Sequence, residues 1–136
     1  MTTALFACVQ NAGRSQMAAA FFNALADPAK ARTISAGTRP AARVHQPVVD
    51  AMREVGIDLT GVTPTLLTER LAAGAQLLVT MGCGETCPHV PGLRRMDWNL
   101  ADPHGQSIES VRAIREDVRS RIADLLRAEG WARDPS

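Results

Sequence analysis

Near its N-terminus the chain reads Thr3-Ala-Leu-Phe-Ala7, a short apolar run, and then Cys8-Val-Gln-Asn-Ala-Gly-Arg-Ser15. From Ala18 onward the apolar residues Ala18, Phe21, Phe22 and Leu25 recur at the spacing of one helix face. We therefore expect a buried strand, a loop and an amphipathic helix in this order. Such a unit opens many α/β folds, in which ligands bind at the carboxyl ends of the strands.

Strand and helix patterns continue to alternate along the chain, which predicts a parallel sheet covered by helices on both faces. We assign residues 1–130 to this single α/β domain and residues 131–136 to a frayed tail. The further predicted elements are strands at 32–36 and 76–81, a helix that follows Pro47, a short helix at 66–73 and a long helix at 108–125.

Composition excludes several classes of function. The chain has 136 residues, of which 46% are apolar, enough for one self-sufficient core. Its 15 basic and 14 acidic residues leave a net charge of +1, which gives no general attraction to nucleic acid or anionic membranes. No apolar run has the roughly 20 residues of a membrane span, and no signal peptide is recognisable. We expect a soluble, cytoplasmic protein that binds neither nucleic acid nor membranes.

The cysteine content is the most informative part of the composition. The chain contains three cysteines, Cys8, Cys83 and Cys87, and no tyrosine. An odd number of cysteines in a chain of ordinary core size argues against a secreted disulfide scaffold. It favours thiols that react or bind metal.

The segment Cys8–Ser15, called the anion loop below, has the residues of an oxyanion site. A loop that curls between a strand and a helix can turn its backbone N–H groups inward, and Gly13 permits that conformation. Arg14 can offer two donors to a tetrahedral oxyanion, and Ser15 can donate to a Cys8 thiolate that the positive surroundings stabilise. Asn11 can brace the loop. The predicted oxyanion-binding residues are Val9, Gln10, Asn11, Ala12, Gly13, Arg14 and Ser15.

Several motifs together resemble the low-molecular-weight protein tyrosine phosphatase family, and within it the thiol-coupled arsenate reductases, across nearly the whole chain. The resemblance implies a four-stranded parallel sheet. The motifs are Cys8-Val-Gln-Asn-Ala-Gly-Arg-Ser-Gln-Met17, Ser35-Ala-Gly37, Gly56-Ile-Asp58, Val79-Thr80 before Cys83 and Cys87-Pro88, and Asp97-Trp98 before Asp102-Pro103.

The resemblance gives Asp102 a role that the residue alone would not suggest. An isolated Asp-Pro pair is more often an ordinary turn. In this family, however, the general acid lies in such a loop, so Asp102 is expected to protonate the leaving oxygen. We expect Trp98 to pack at the base of this loop.

The two remaining cysteines separate the branches of the family. By resemblance to the arsenate reductases, Cys8 attacks arsenate and Cys83 then forms a transient Cys8–Cys83 disulfide, which expels arsenite. Cys87 next forms a Cys83–Cys87 disulfide in the oxidised protein. Residues four apart on a helical turn have Cα atoms about 6 Å apart, which a disulfide can span. Thioredoxin is the expected reductant, with mycothiol as the alternative, and no cofactor is implied.

Other interpretations remain open at this point. A zinc site at Cys83, Cys87 and His89 is less favoured, because no second cysteine pair exists, so no metal is predicted. Relatives bind a potassium ion beside the anion loop, but Ala19 stands where they have glutamate. A phosphatase would need only Cys8, Arg14 and Asp102, and a non-catalytic sensor would use the same thiols.

The substrate and the histidines give the last sequence-based expectations. Tyrosine phosphatases of this fold place tyrosines after the Asp-Pro pair, whereas here His104-Gly105 follows. A pocket without that aromatic wall suits arsenate, with phosphate or sulfate as competing anions. We expect His45, His89 and His104 to be surface residues. Arg94-Arg95 is either solvated or a contact for an acidic redox partner.

Overall fold

The computed structural model describes residues 2–81 and 92–133. In these ranges no helix is long and apolar enough to cross a membrane. The elements are β1 (Thr2–Cys8), α1 (Arg14–Leu25), β2 (Ala31–Gly37), α2 (Gln46–Arg53), α3 (Glu69–Ala73), β3 (Leu77–Thr80), β4 (Arg94–Asp97) and α4 (Ile108–Glu129).

The strands form one parallel sheet in the order β2-β1-β3-β4. The central strand β1 pairs with β2 along its whole length, so Cys8 lies opposite Gly37. On its other side Ala7 lies opposite Thr80 of β3. All carboxyl ends of parallel strands meet at one edge, and Cys8 is therefore at the edge where α/β folds bind ligands.

Alternation along β1 separates two layers of core. Phe6 points to the face that is covered by buried residues of α1, α2 and α4. Leu5 and Ala7 belong to a smaller cluster on the other face, with Leu67 and the α3 residue Ala72. The side-chain period of two in a strand explains this division. The single α/β domain with a four-stranded parallel sheet and helices on both faces is thus confirmed.

β4 is the strand for which the residue pattern gave no signal. Its residues Arg94, Arg95 and Asp97 are exposed, and β4 pairs with β3 alone, at the edge of the sheet. An edge strand with charged side chains lacks the apolar run by which a buried strand is recognised. Arg94 forms an ion pair with Glu129 and Arg95 with Asp97, so both arginines are engaged within the fold.

The chain turns back at the end of α4. Gly130 has a φ of 74°, the left-handed conformation of a helix C-cap. Trp131 then donates its N–H to Leu126 O and packs its ring 6.1 Å from that of Phe22. Residues 131–133 therefore differ from the frayed tail expected there, because the apolar Trp131 ring has a place on the core. The domain boundary at residue 130 stays a prediction, and residues 134–136 lie outside the described ranges.

Candidate active site

The anion loop connects the end of β1 to the start of α1, with Cys8 and Arg14 as the terminal residues of those elements. Four of its carbonyl oxygens face outward, where they accept hydrogen bonds from the segment 38–45. Because the carbonyl groups are engaged on that side, the N–H groups remain for the inside of the loop. The outward bonds run from Thr38 N to Cys8 O, Arg39 N to Val9 O, Ala41 N to Gln10 O and His45 N to Ala12 O, at 3.2, 2.8, 2.9 and 2.9 Å.

Asn11 holds the loop in shape from within. It is fully buried and has a φ of 50°, a left-handed conformation that asparagine tolerates better than most residues. Its Oδ1 accepts hydrogen bonds from Thr65 N at 2.9 Å and from Gln16 Nε2 at 3.0 Å. Its Nδ2 donates to Ser15 Oγ at 2.7 Å. The bracing role expected of Asn11 therefore has three side-chain contacts in the structure.

Cys8 is 3% exposed, and its thiol has two polar neighbours. Its Sγ lies 2.9 Å from Ser15 Oγ and accepts the Asn11 backbone N–H at 3.2 Å. Ser15 Oγ already accepts from Asn11, so the hydroxyl hydrogen of Ser15 is free to donate to sulfur. Two donors are thus directed at Sγ, which lies at the positive end of α1.

Arg14 and Asp102 face each other beside the thiol. The Arg14 side chain is 10% exposed, and its Nη1 donates to Leu100 O at 3.4 Å. Its Nη2 lies 3.7 Å from Asp102 Oδ2, and the Asp102 side chain is 59% exposed. A guanidinium that is partly held by protein still has donors for an oxyanion. Trp98 lies buried against Phe6 at the start of the Asp102 loop, with ring centroids 5.8 Å apart.

Gly13 allows the Asp102 loop to approach the anion loop. A Cβ at Gly13 would lie 2.6 Å from Pro103 Cγ, a distance that real Cβ contacts do not show. The absence of a side chain thus places Pro103 directly against the anion loop, and Asp102 precedes it. Sequence reasoning assigned Gly13 only to the curl of the loop, and the contact with Pro103 is an additional reason for glycine.

One cavity of about 150 Å³ contains these groups. It brings together Cys8, Arg14 and Asp102, the three residues that the sequence proposed for nucleophile, oxyanion binding and general acid. Cys83 and Cys87, together with His89, lie outside the described residues. The lining residues are Cys8, Val9, Gln10, Ala12, Gly13, Arg14, His45, Asp102 and His104.

Two of the lining residues, His45 and His104, were expected to be ordinary surface residues. His104 is exposed and His45 half-buried, but their rings contact each other with centroids 4.8 Å apart. Burial, and next the neighbouring His104, hold the pKa of His45 below its usual value, while the Asp102 carboxylate acts in the opposite direction. The adjacency of His104 to Asp102-Pro103 was the one sequence signal that could have indicated its place.

No metal centre is evident in residues 2–81 and 92–133, where no three His, Cys, Asp or Glu side chains are grouped as metal ligands. The zinc alternative rests on Cys83, Cys87 and His89, which these ranges do not include. Beside the anion loop, Gln16 Nε2 donates to both Asn11 O and Asn11 Oδ1 at 3.0 Å. Both of these Asn11 oxygens thus already accept a hydrogen bond from the protein.

Comparison with known proteins agrees with the site. The model of the low molecular weight phosphotyrosine protein phosphatase family matches residues 3–132. The chain belongs to this family. The name covers more than one chemistry, since arsenate reductases are among the similar members of this phosphatase family.

Three of these similar family members are informative. A protein of Halobacterium salinarum, provisionally named an arsenate reductase, is 39% identical over 127 residues, which are 89% of this chain and 88% of the relative. The glutaredoxin arsenate reductase of Synechocystis is 34% identical over 129 residues, with coverage of 93% and 97%. The thioredoxin-dependent arsenate reductase of Corynebacterium glutamicum superposes with a TM-score of 0.80 at 32% identity. That alignment covers 94% of this chain but 61% of the Corynebacterium chain.

Proposed function

We propose that this chain is an arsenate reductase whose nucleophile is Cys8. The observation that carries the proposal is the convergence of Cys8, Arg14 and Asp102 on one cavity of about 150 Å³. Similarity to proteins named arsenate reductases supports the choice of substrate. A cytoplasmic location fits an enzyme that needs reduced thiols.

In the first step the Cys8 thiolate attacks the arsenic atom of arsenate. Arg14 and the inward N–H groups of the anion loop hold the oxyanion, and Asp102 protonates the oxygen that leaves as water. The product is a Cys8 thioester of arsenate in which arsenic is still As(V). Asp102 suits this role because it lines the same cavity as the thiol and remains open to solvent, which can return its proton.

The second step transfers two electrons. The Cys83 thiolate attacks Cys8 Sγ, the arsenic–sulfur bond breaks, and its electron pair stays with arsenic, which leaves as arsenite. A Cys8–Cys83 disulfide remains. Cys87 then attacks Cys83, which releases the Cys8 thiolate and leaves a Cys83–Cys87 disulfide for an external dithiol to reduce. This relay is the part of the proposal that depends on residues outside the described ranges.

The cavity favours a small inorganic anion over a phosphotyrosine side chain. Its walls carry the polar rings of His45 and His104, and the chain has no tyrosine to stack on an aromatic substrate. Phosphate and sulfate have the same tetrahedral shape as arsenate and should compete for the site. Hydrolysis of a small aryl phosphate is the second candidate activity, because it needs only Cys8, Arg14 and Asp102.

Thioredoxin is the proposed reductant, because a chain with all three relay thiols can present an exposed disulfide to a protein dithiol. The similar proteins differ in this respect, since one is named thioredoxin-dependent and another a glutaredoxin arsenate reductase. Mycothiol with its coupling enzymes is the third arm of the comparison. Steady-state arsenate reduction with each reductant in turn identifies the physiological class.

The variant Cys83→Ser tests the relay. We expect arsenate-dependent NADPH oxidation with thioredoxin and thioredoxin reductase to fall to background, because no thiol at position 83 can then attack Cys8 Sγ and release arsenite. Aryl phosphatase activity should persist, since it does not use Cys83. The control Cys8→Ser should lose both activities. Unchanged arsenate reduction in Cys83→Ser would contradict the assigned relay, and no arsenate turnover by the wild type with any reductant would contradict the function.

A further inference from the structure

His45 joins the anion loop to the start of α2. Its backbone N–H donates to Ala12 O at 2.9 Å, and it occupies the N-cap position of α2. Its ring Nε2 lies 2.9 Å from Gln10 Oε1. An amide oxygen only accepts, so Nε2 carries a hydrogen and donates it. The His45 ring is therefore fixed to the anion loop at the mouth of the cavity.

His104 provides the connection on the other side. Its ring contacts the His45 ring at a centroid separation of 4.8 Å and an interplanar angle of 41°. Its backbone N–H donates to Asp102 Oδ1 at 3.0 Å, which fixes the carboxyl group relative to the same residue. The two rings thus form a bridge from Gln10 of the anion loop to Asp102.

The other contacts between the anion loop and the Asp102 loop hold the Asp102 carboxyl group less firmly. The Arg14–Asp102 ion pair is 3.7 Å long, and its acid is 59% exposed, so solvent screens the attraction. The Arg14 donation to Leu100 O, at 3.4 Å, fixes the loop two residues before Asp102. Pro103 packs on Gly13 but has no backbone N–H to donate to the carboxylate.

We propose that the His45–His104 ring pair positions Asp102 over the anion loop, and that it does so only while at most one of the two rings is charged. Two imidazolium rings in contact repel each other, so the second protonation separates them and withdraws Asp102 from the cavity. Both histidines are positioning residues. Their role in arsenate reduction rests on the proposed function, whereas their effect on the loop does not.

The titratable and charged groups around His45 determine the pH at which the ring pair separates. Four of them line the same cavity, namely Cys8, Arg14, Asp102 and His104, and Arg43 and Asp50 are near His45 in sequence. Burial and His104 lower the pKa of His45, and Asp102 opposes them. The second proton therefore enters on the acid side of the usual histidine range, and the loop should open there.

Two substitutions at the exposed His104 separate ring contact from charge. His104→Phe retains an aromatic ring against His45 but cannot be protonated. We expect its kcat/KM for arsenate to fall less than that of His104→Ala near pH 7 and to persist to lower pH than that of wild type. His104→Ala removes the contact, and we expect a loss of about tenfold at neutral pH that shrinks at acid pH, where the wild-type rings have separated, since small misplacements of a catalytic group are costly.

Measurements by NMR without substrate test the bridge independently of the enzyme's activity. In His104→Phe the pKa of His45 should rise relative to wild type, because a neighbouring positive charge has been removed. Amide resonances of residues 98–106 should shift in His104→Ala and stay near their wild-type positions in His104→Phe. Such shifts would support the bridge even if the wild type reduced no arsenate, in which case only the proposed function would fail.

The opposite results overturn the proposal. They are wild-type kcat/KM in His104→Ala across the pH range, an acid limb in His104→Phe that coincides with that of wild type, or unchanged loop resonances in His104→Ala. Thermal unfolding of both variants serves as the check on folding. His104 is exposed, so both should unfold near the wild-type temperature.

Discussion

At Gly37 the end of β2 passes so close to the anion loop that an added Cβ would lie 2.6 Å from Val9 O and 2.8 Å from Asn11 N. Both neighbours are backbone atoms, so they cannot give way as the end of a side chain could. Gly37 also donates its N–H to Thr65 O and accepts from Leu67 N, which fixes it from the other side. The glycine in the Ser35-Ala-Gly37 motif therefore has a steric reason.

We expect Gly37→Ala to displace the anion loop, to weaken phosphate binding at least tenfold and to destabilise the fold by about 1–3 kcal/mol, as in other overpacked sites. Gly61→Ala is the matched control, because nothing lies within 4 Å of a Cβ there. Titration calorimetry with phosphate and thermal unfolding measure the two effects. Equal phosphate affinity in both variants would show that the loop accommodates the methyl group.

Residues within the anion loop were predictable from sequence because they carry their own geometry. Cys8, Arg14 and Ser15 are separated by a few residues, and a strand-to-helix turn brings them together in any chain that forms it. Asp102 needed the resemblance to a family, since an Asp-Pro pair alone is most often a turn. The contact of His45 with His104 depends on how two distant loops close, for which the chain offers no periodic signal.

At the scale of elements, the strand and helix patterns worked wherever one face is apolar. They indicated β1, β2, β3 and α4, but α1 begins at Arg14 rather than near Ala18, because its first turn is buried against the site. The short helix predicted from residue 66 begins at Glu69, where Thr68 Oγ1 caps it. β4 was missed because pairing with β3, and not an apolar pattern, makes it a strand.

Helices α2 and α4 are joined by an ion cluster. Glu54, at the end of α2, accepts hydrogen bonds from Arg112 and Arg115 of α4. These two arginines lower the pKa of Glu54 from 4.5 to about 2. Since the folded pKa lies below the unfolded one, the unfolded chain takes up the proton first as the pH falls. The stabilisation is therefore complete above about pH 4.5 and is lost towards pH 2.

The variant Glu54→Gln should show this window directly. We expect its free energy of unfolding to be lower than that of wild type above pH 5, and the difference to shrink as the pH falls to about 2. Urea unfolding at a series of pH values measures it. Glu69→Gln, an exposed carboxylate in the first turn of α3, is the control. A difference that does not change with pH would mean that Glu54 acts through packing and not through its charge.

On the scale of the whole molecule, the site couples segments that are far apart in the chain. The cavity is lined by the anion loop, by His45 before α2 and by the loop that holds Asp102. A ligand that binds the folded state alone stabilises all of these segments together, by about 2.7 kcal/mol at a concentration of 100 times its Kd.

Phosphate should therefore raise the unfolding temperature relative to chloride at equal ionic strength. Arg14→Lys should lose most of this rise, because an ammonium group cannot present two parallel donors to the anion. Arg119→Lys, on the exposed side of α4, should retain it. Differential scanning calorimetry over a range of phosphate concentrations measures the effect. An equal rise of the unfolding temperature in both variants would show that phosphate binds at a site other than Arg14.

The position of α4 along the chain affects how the protein is made. α4 is the last described element, yet its residues Val111, Val118 and Ile122 complete the core against α1 and α2. Until α4 has been synthesised, the apolar residues of α1 and α2 that pack against it stay exposed to solvent. Nascent chains at that stage are exposed to aggregation and to capture by chaperones. Emergence of α4 from the ribosome, and not formation of the central strands, is then the event that closes the core.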